Sequence, residues 1–249
     1  MSLRIHAEAK FRARPDAILF DFDNTLYAYE PAHTAGSAAV RAKALRLLGI
    51  GELEFDEQLT RARREVKERL GAVGAAHNRL LYFQRLIELC GLKSQLIMSL
   101  DLEQTYWRGF LGAARLFPGV RELFDDLRLL GVPAGLVTDL TAQIQFRKLV
   151  FFGLEHAFDY VVTSEEAGAD KPSPSPYALI ARKMGLDGKR IWMIGDNPDA
   201  DINGAREALG AVTLQKRHAG VSVSSGADAV FDDFEELRSL FQSLHGDAQ

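Results

Sequence analysis

A single cysteine, Cys90, stands among the 249 residues, so no disulfide can form within the chain. It lies beside Leu86 and Leu89 in a helical-looking stretch, where the thiol is expected in the core rather than as a nucleophile or ligand. An excess of either charge is also missing. The formal net charge is only -4, too little field to hold a nucleic acid polymer, so a small anionic ligand would need a local positive site. Long hydrophobic runs are absent as well. Met1 to Phe20 reads as neither a secretory signal nor a membrane span, which excludes a membrane role and fits a cytoplasmic setting. Internal repeats and low-complexity stretches are not found. What is present is 47% hydrophobic content with both charge signs mixed, enough to bury a core as one large domain or a domain plus insertion.

Short apolar runs at Ala17 to Phe22, Val132 to Val137, Tyr160 to Thr163, Ile191 to Ile194 and Ala211 to Leu214 predict buried parallel strands. Helical patterns lie between them. Val120, Leu123, Phe124, Leu127 and Leu130, for example, recur every three or four residues and so share one face. Alternating strands and helices define the class as α/β. The first interval breaks the rhythm, because more than a hundred residues separate the first strand from the second. Segments within it, around Ala35 to Leu48, Asp56 to Leu70, Arg79 to Cys90 and Ser94 to Leu111, are rich in Ala, Leu, Arg and Glu. These imply an all-helical cap domain at 29–115, inserted into a core made of 1–28 and 116–249. Phe117-Pro118-Gly119 marks the return to the core. A last helix bearing Phe234, Leu237, Leu240, Phe241 and Leu244 on one face would close the sheet layer, and Met1 to Arg14 reads as a loosely held arm.

Chemistry-bearing residues gather at the ends of the strands, where open parallel sheets bind ligands. Asp21-Phe22-Asp23-Asn24-Thr25 ends the first strand. Asp21 and Asp23, two positions apart, would share one face of a continuing strand, so they can serve one site there or where the chain turns out of the sheet. Asn24 and Thr25 are compatible with such a turn. Thr138 ends the second strand with a hydroxyl able to donate to a phosphoryl oxygen. Lys171, ahead of Pro172, Pro174 and Pro176, lies in a stiff loop after the third strand and could oppose developing negative charge. Gly195-Asp196-Asn197-Pro198-Asp199-Ala200-Asp201 follows the fourth, with three acids whose repulsion calls for a cation or donors. Asp199 also suits the first turn of a helix.

With acid pair, hydroxyl, lysine and acid cluster in order at four strand ends, the chain resembles the haloacid dehalogenase superfamily, in its phosphatase branch. The resemblance covers Asp21 to Thr25, Thr138, Lys171 and Gly195 to Asp201, and the insertion looks like that family's helical cap. It implies a Rossmann-like three-layer core with a parallel sheet, a magnesium ion and an aspartyl-phosphate intermediate. Asp21 would be the nucleophile and Asp23 the general acid and base. Asp21, the Asp23 backbone carbonyl and Asp196 would bind magnesium, with Asp201 and Thr25 supporting the site from outside. Thr138, Asp139 and Lys171 would hold the phosphoryl group. The dehalogenases that name the family lack an aspartate at the place of Asp23, which favours phosphoryl transfer.

One departure stands out: the family commonly has asparagine where this chain has Asp139. Either its backbone amide alone is used, which we favour, or its side chain selects a leaving group bearing a donor. In the cap, the basic run from Arg61 to Arg69 is interleaved with Glu65 and Glu68 and reads as a solvated face with local ion pairs. His77-Asn78-Arg79 precedes an apolar helix, so His77 and Arg79 are candidate substrate contacts beside the plainer reading of capping and surface exposure. The expected activity is hydrolysis of a small phosphorylated metabolite: a sugar phosphate, phosphoglycolate or a nucleoside monophosphate. A phosphomutase, or a phospho-accepting receiver module, would use related residues and is the alternative.

Overall fold

The structure, a computed structural model, describes residues 3–245. The chain divides into two compact units, Met1–Ala28 with Arg115–Gln249, and Tyr29–Ala114. No described helix is long and apolar enough to cross a membrane.

The first unit is built on seven strands: β1 (Arg4–Ile5), β2 (Ala17–Phe20), β3 (Ala134–Thr138), β4 (Tyr160–Thr163), β5 (Ile191–Gly195), β6 (Val212–Lys216) and β7 (Ala229–Phe231). Their order across the sheet is β1-β7-β6-β5-β2-β3-β4. All neighbours pair in parallel except β1, which runs antiparallel to β7. Phe20 stands opposite both Leu136 and Ile194, so the ends of β2, β3 and β5 are level and their following loops open at one edge. Alternation along the strands feeds two cores. Ala17, Leu19, Ile191 and Met193 pack with Tyr177 and Ile180 on one face. Across the sheet Phe20 meets Phe124, and Trp192 lies between Phe11 and Phe241. This is the α/β class anticipated from the apolar runs, in the three-layer arrangement that the resemblance implied.

Four helices make the second unit: α1 (Tyr29–Leu48), α2 (Glu52–Leu70), α3 (Arg79–Leu89) and α4 (Leu96–Ala113). Helices α1 and α4 cross closely, because a Cβ on Gly36 would fall 2.8 Å from the Tyr106 backbone oxygen. Ion pairs cover the face of α2, where Glu65 accepts from Arg61 at 2.7 Å and from Arg85 at 2.6 Å. In the first unit follow α5 (Val120–Leu129), α6 (Ala142–Phe152), α7 (Ser164–Ala167), α8 (Pro174–Met184), α9 (Gly204–Leu209) and α10 (Phe234–His245).

Two expectations are corrected. The arm before Arg14 is held: β1 pairs with β7, Phe11 is buried against Trp192, and Lys10 meets Asp228 at 2.9 Å. Strands of two and three residues are too short to give a periodic signal, which is why β1 and β7 escape a reading by pattern. Cys90 is only half-buried, because it caps the end of α3 instead of sitting within its apolar face.

Candidate active site

Phe20 is the last residue of β2, and the chain leaves the sheet through Asn24, whose φ of 67° places it in the left-handed region. Asparagine tolerates that conformation better than most residues. The turn returns the chain so that Thr25 Oγ1 donates to Asp21 Oδ2 at 2.7 Å and the Tyr27 hydroxyl donates to Asp23 Oδ1. Asp21 and Asp23 therefore border one cavity of about 180 Å³, together with Asn24, Thr138, Asp139, Lys171, Asp196 and Asp201. A larger hollow of about 260 Å³ near Phe124 and His156 contains no comparable acid cluster.

Lys171 ties three strand ends together. Its Nζ donates to Asp21 Oδ1 at 2.8 Å, to Asp201 Oδ1 at 2.6 Å and to the Val137 carbonyl at 3.0 Å, with the side chain 2% exposed. The loop that delivers it is fixed from the other side, because the Lys171 backbone N–H donates to Asp139 Oδ1 at 2.9 Å. Asp139 thus turns its carboxylate to the main chain of the lysine loop. Burial raises its pKa, against the opposing pull of Lys171. An asparagine oxygen could accept the same bond, so Asp139→Asn is expected to preserve or modestly raise activity. Steady-state kinetics check this, and a loss above about a hundredfold would give the carboxylate a role of its own.

The acid segment after β5 is shaped by a wide π-turn, Pro198–Asn203. Asn197 opens it by accepting from the backbone N–H groups of Asp199 at 3.0 Å and Ala200 at 2.9 Å. The turn carries Asp201 back beneath Gly195, where a Cβ would lie 2.3 Å from Asp201 Cβ, so only glycine fits. Asp201 is 1% exposed, and its second oxygen accepts from the Asn197 N–H at 3.0 Å. Asp199 points outward instead, as an exposed acid of the first turn.

Carboxylate oxygens of Asp21, Asp196 and Asp201 lie within 4.8 Å of one another, all three residues buried. The crowding has a measurable consequence. Burial, then the neighbouring Asp21 and Asp201, pushes the Asp196 pKa up to about 8. Burial and Asp201 raise Asp21 to about 6, against the pull of Lys171. Buried acids that resist ionisation side by side suit a hard divalent cation, whose charge removes the conflict. Both oxygens of Asp201 accept from Lys171 and the Asn197 N–H, and both oxygens of Asp21 accept from Lys171 and Thr25.

Two polar side chains missed in the sequence complete the arrangement. Gln145 and Lys148 sit on α6, both fully buried. Lys148 Nζ contacts the Asp23 carboxylate at 2.7 and 3.0 Å, while Gln145 Nε2 donates to Thr138 Oγ1 at 2.7 Å. A signal was available: both fall on the stripe of Ile144, Leu149 and Phe152 that α6 turns inward, where polar residues need a reason.

His77 and Arg79 belong to the helical unit. Arg79 Nη1 donates to the His77 carbonyl at 2.6 Å, and its guanidinium lies over the rings of Tyr82, Tyr106 and Trp107 at 5.5 to 5.9 Å. It makes no ion pair among the described residues. Asn78 caps α3, accepting from the Leu80 N–H at 2.9 Å.

This sheet, with its acid pair, lysine and second acid cluster at adjoining strand ends, defines a hydrolase class. The chain belongs to the haloacid dehalogenase-like hydrolase family, whose model matches residues 15–208. It is 38% identical over 199 residues to a ribulose-1,5-bisphosphate 5-phosphatase of Halopiger xanaduensis, covering 80% of this chain and 83% of that protein. It is 32% identical over 201 residues to a glyceraldehyde 3-phosphate phosphatase of Methanopyrus kandleri, covering 81% and 83%. In fold it matches a crystal structure of a 2-haloacid dehalogenase from Pseudomonas syringae pv. Tomato, with a TM-score of 0.71, 22% identity, and coverage of 92% of this chain and 99% of that one.

Proposed function

We propose that the protein is a magnesium-dependent phosphatase acting on a small phosphomonoester, with Asp21 as nucleophile and Asp23 as general acid and base. The observation that carries this reading is Asp21 itself: a buried carboxylate with one oxygen on Lys171 and the other on Thr25, opening onto the cavity that Asp23 also borders. In the first step an Asp21 oxygen attacks phosphorus, and the bond from phosphorus to the leaving oxygen breaks. Asp23 gives its proton to that oxygen, releasing the alcohol and leaving an aspartyl phosphate. In the second step the Asp23 carboxylate takes a proton from water as the water oxygen attacks phosphorus. The bond from phosphorus to Asp21 then breaks, inorganic phosphate departs, and both residues return to their starting states.

Thr138 and Lys171 hold the phosphoryl oxygens, and the Asp139 backbone amide assists. Asp21, Asp196 and the Asp23 backbone carbonyl would hold magnesium, which when bound neutralises the charge that keeps a carboxylate from a phosphate dianion. Asp201 and Thr25 orient Lys171 and Asp21. The relatives named for ribulose-1,5-bisphosphate and glyceraldehyde 3-phosphate support a phosphorylated sugar as substrate. A cavity of about 180 Å³ is below the usual ~300 Å³ of a pocket for a whole small ligand, so it suits the phosphoryl end. Phosphate release from a panel of sugar phosphates, phosphoglycolate and nucleoside monophosphates, with and without magnesium, tests the assignment. Turnover of none of them would remove it.

The raised acids add a pH signature. Asp21 and Asp196 hold protons in the folded state up to about 6 and about 8, against an ordinary value of 3.8 when unfolded. Their contribution to stability is complete below 3.8 and is lost as pH rises through those two values. Melting in EDTA should therefore show Tm falling between about pH 5 and about pH 8, and magnesium should reverse the fall most strongly at the upper end. A Tm in EDTA that rose across this range would contradict the crowding.

A further inference from the structure

Helix α6 sets two fully buried polar side chains, one turn apart, against residues that line the cavity, and no step above uses them. Lys148 Nζ is bracketed by the two Asp23 oxygens at 2.7 and 3.0 Å, and it lies 5.9 and 5.8 Å from the ring centroids of Phe22 and Tyr27. Gln145 Nε2 reaches Thr138 Oγ1 and the Asp139 carbonyl at 2.7 Å each, and lies 3.4 Å from Asp23 Oδ2. Burying an ammonium among aromatic rings costs free energy that an apolar side chain of similar length would not incur. Its counterpart is not equally buried: the Asp23 side chain keeps 27% of its surface exposed, against none for Lys148. Lys148 and the Tyr27 hydroxyl thus grip Asp23 from the protein side and leave its remaining surface free.

We propose that Lys148 is a positioning residue for Asp23, holding that carboxyl in the one orientation from which it meets the leaving oxygen, with Gln145 fixing Thr138 from the same helix. The proposal rests on the phosphatase reading. Three features support positioning over plain structural pairing. Asp23 lies beyond the end of β2, just before the left-handed Asn24, and its only strand pairing among the described residues is a single bridge to Tyr27, so its side chain needs an external hold. Lysine reaches it from a helix that also fixes the hydroxyl at the end of β3, so one rigid element sets the distance between acid and phosphoryl site. Both oxygens are contacted by one ammonium, which restricts rotation of the carboxyl in a way a single bond would not.

A residue that acts through the general acid should matter according to how much help the leaving group needs. A sugar alkoxide needs the proton as it departs, whereas p-nitrophenolate leaves without it. kcat/KM reports only the steps through loss of the leaving group, so dephosphorylation of Asp21 does not blur the comparison. We expect Lys148→Met to lower kcat/KM for a sugar phosphate by about a hundredfold and for p-nitrophenyl phosphate at least about tenfold less, with Lys148→Arg recovering part of the loss. In an Asp23→Asn background, where the double variant removes both charges together and so protects the fold, Lys148→Met should have an effect below about threefold.

Equal losses on the two substrates, or full additivity with Asp23→Asn, would overturn the proposal. If Asp23→Asn shows the leaving-group bias and Lys148→Met does not, the proposal falls and the phosphatase reading stands. If Asp23→Asn itself shows no bias, the reading of Asp23 as general acid fails and the proposal with it.

Discussion

Asp21→Asn is expected to abolish phosphate release, by about a thousandfold or more, while raising the melting temperature of the metal-free protein near pH 8. The two effects have one origin. Asp21 is buried beside Asp196 and Asp201: burial and then Asp201 raise Asp21, and burial and then Asp21 and Asp201 raise Asp196. Removing one charge relieves that conflict, with Lys171 still paired to Asp201 at 2.6 Å. The amide can be seated without loss: its oxygen accepts from Lys171, and the Thr25 hydroxyl rotates to accept from the amide nitrogen. Shape is therefore kept and the nucleophile alone is lost. Near pH 5 the stability gain should shrink, because Asp21 is then largely protonated in the parent protein. Phosphate-release assays and melting in EDTA at both pH values check this, and activity within tenfold of the parent would remove Asp21 as nucleophile.

Lys171→Met should act in the opposite direction on stability. Its ammonium satisfies two buried carboxylates and the Val137 carbonyl at once, all within 3.0 Å. Taking it away leaves buried charge uncompensated, which costs about 3–5 kcal/mol where one partner of a buried pair is deleted. Activity should fall by about a hundredfold to a thousandfold, since a cation facing the developing charge is lost and the nucleophile is no longer oriented. Magnesium should restore part of the stability and little of the activity. Urea unfolding with and without magnesium measures the first, and a midpoint unchanged from the parent in EDTA would contradict the bonding described.

The strand ends were legible because each is marked twice, by an apolar run that stops and by a polar residue that follows. Ala17 to Phe20 and Ile191 to Gly195 show it well: runs buried on both sheet faces leave no ambiguity of period. The turn at Asn24 was legible from the residue type, since asparagine tolerates the left-handed region, and its positive φ supplies that turn. Less could be read where tertiary contacts decide. Asp139 looked anomalous as a side chain facing phosphate, yet its partner is a main-chain N–H 32 positions away. Lys148 is one lysine among several in the sequence, and only the fold brings the inward face of α6, which carries it, to Asp23, 125 positions earlier. The N-terminal strand fails for a simpler reason: two residues carry no period, and their pairing with β7 lies at the far end of the chain.

The covalent intermediate is the centre of the account, and rapid acid quenching during turnover tests it most directly. Protein mixed with magnesium and the best sugar phosphate, quenched in milliseconds and digested, is expected to yield the peptide carrying Asp21 with one added phosphoryl group, absent in Asp21→Asn. Magnesium-dependent phosphate release with no phosphorylated peptide at any quench time, and with Asp21→Asn still turning over, would contradict it.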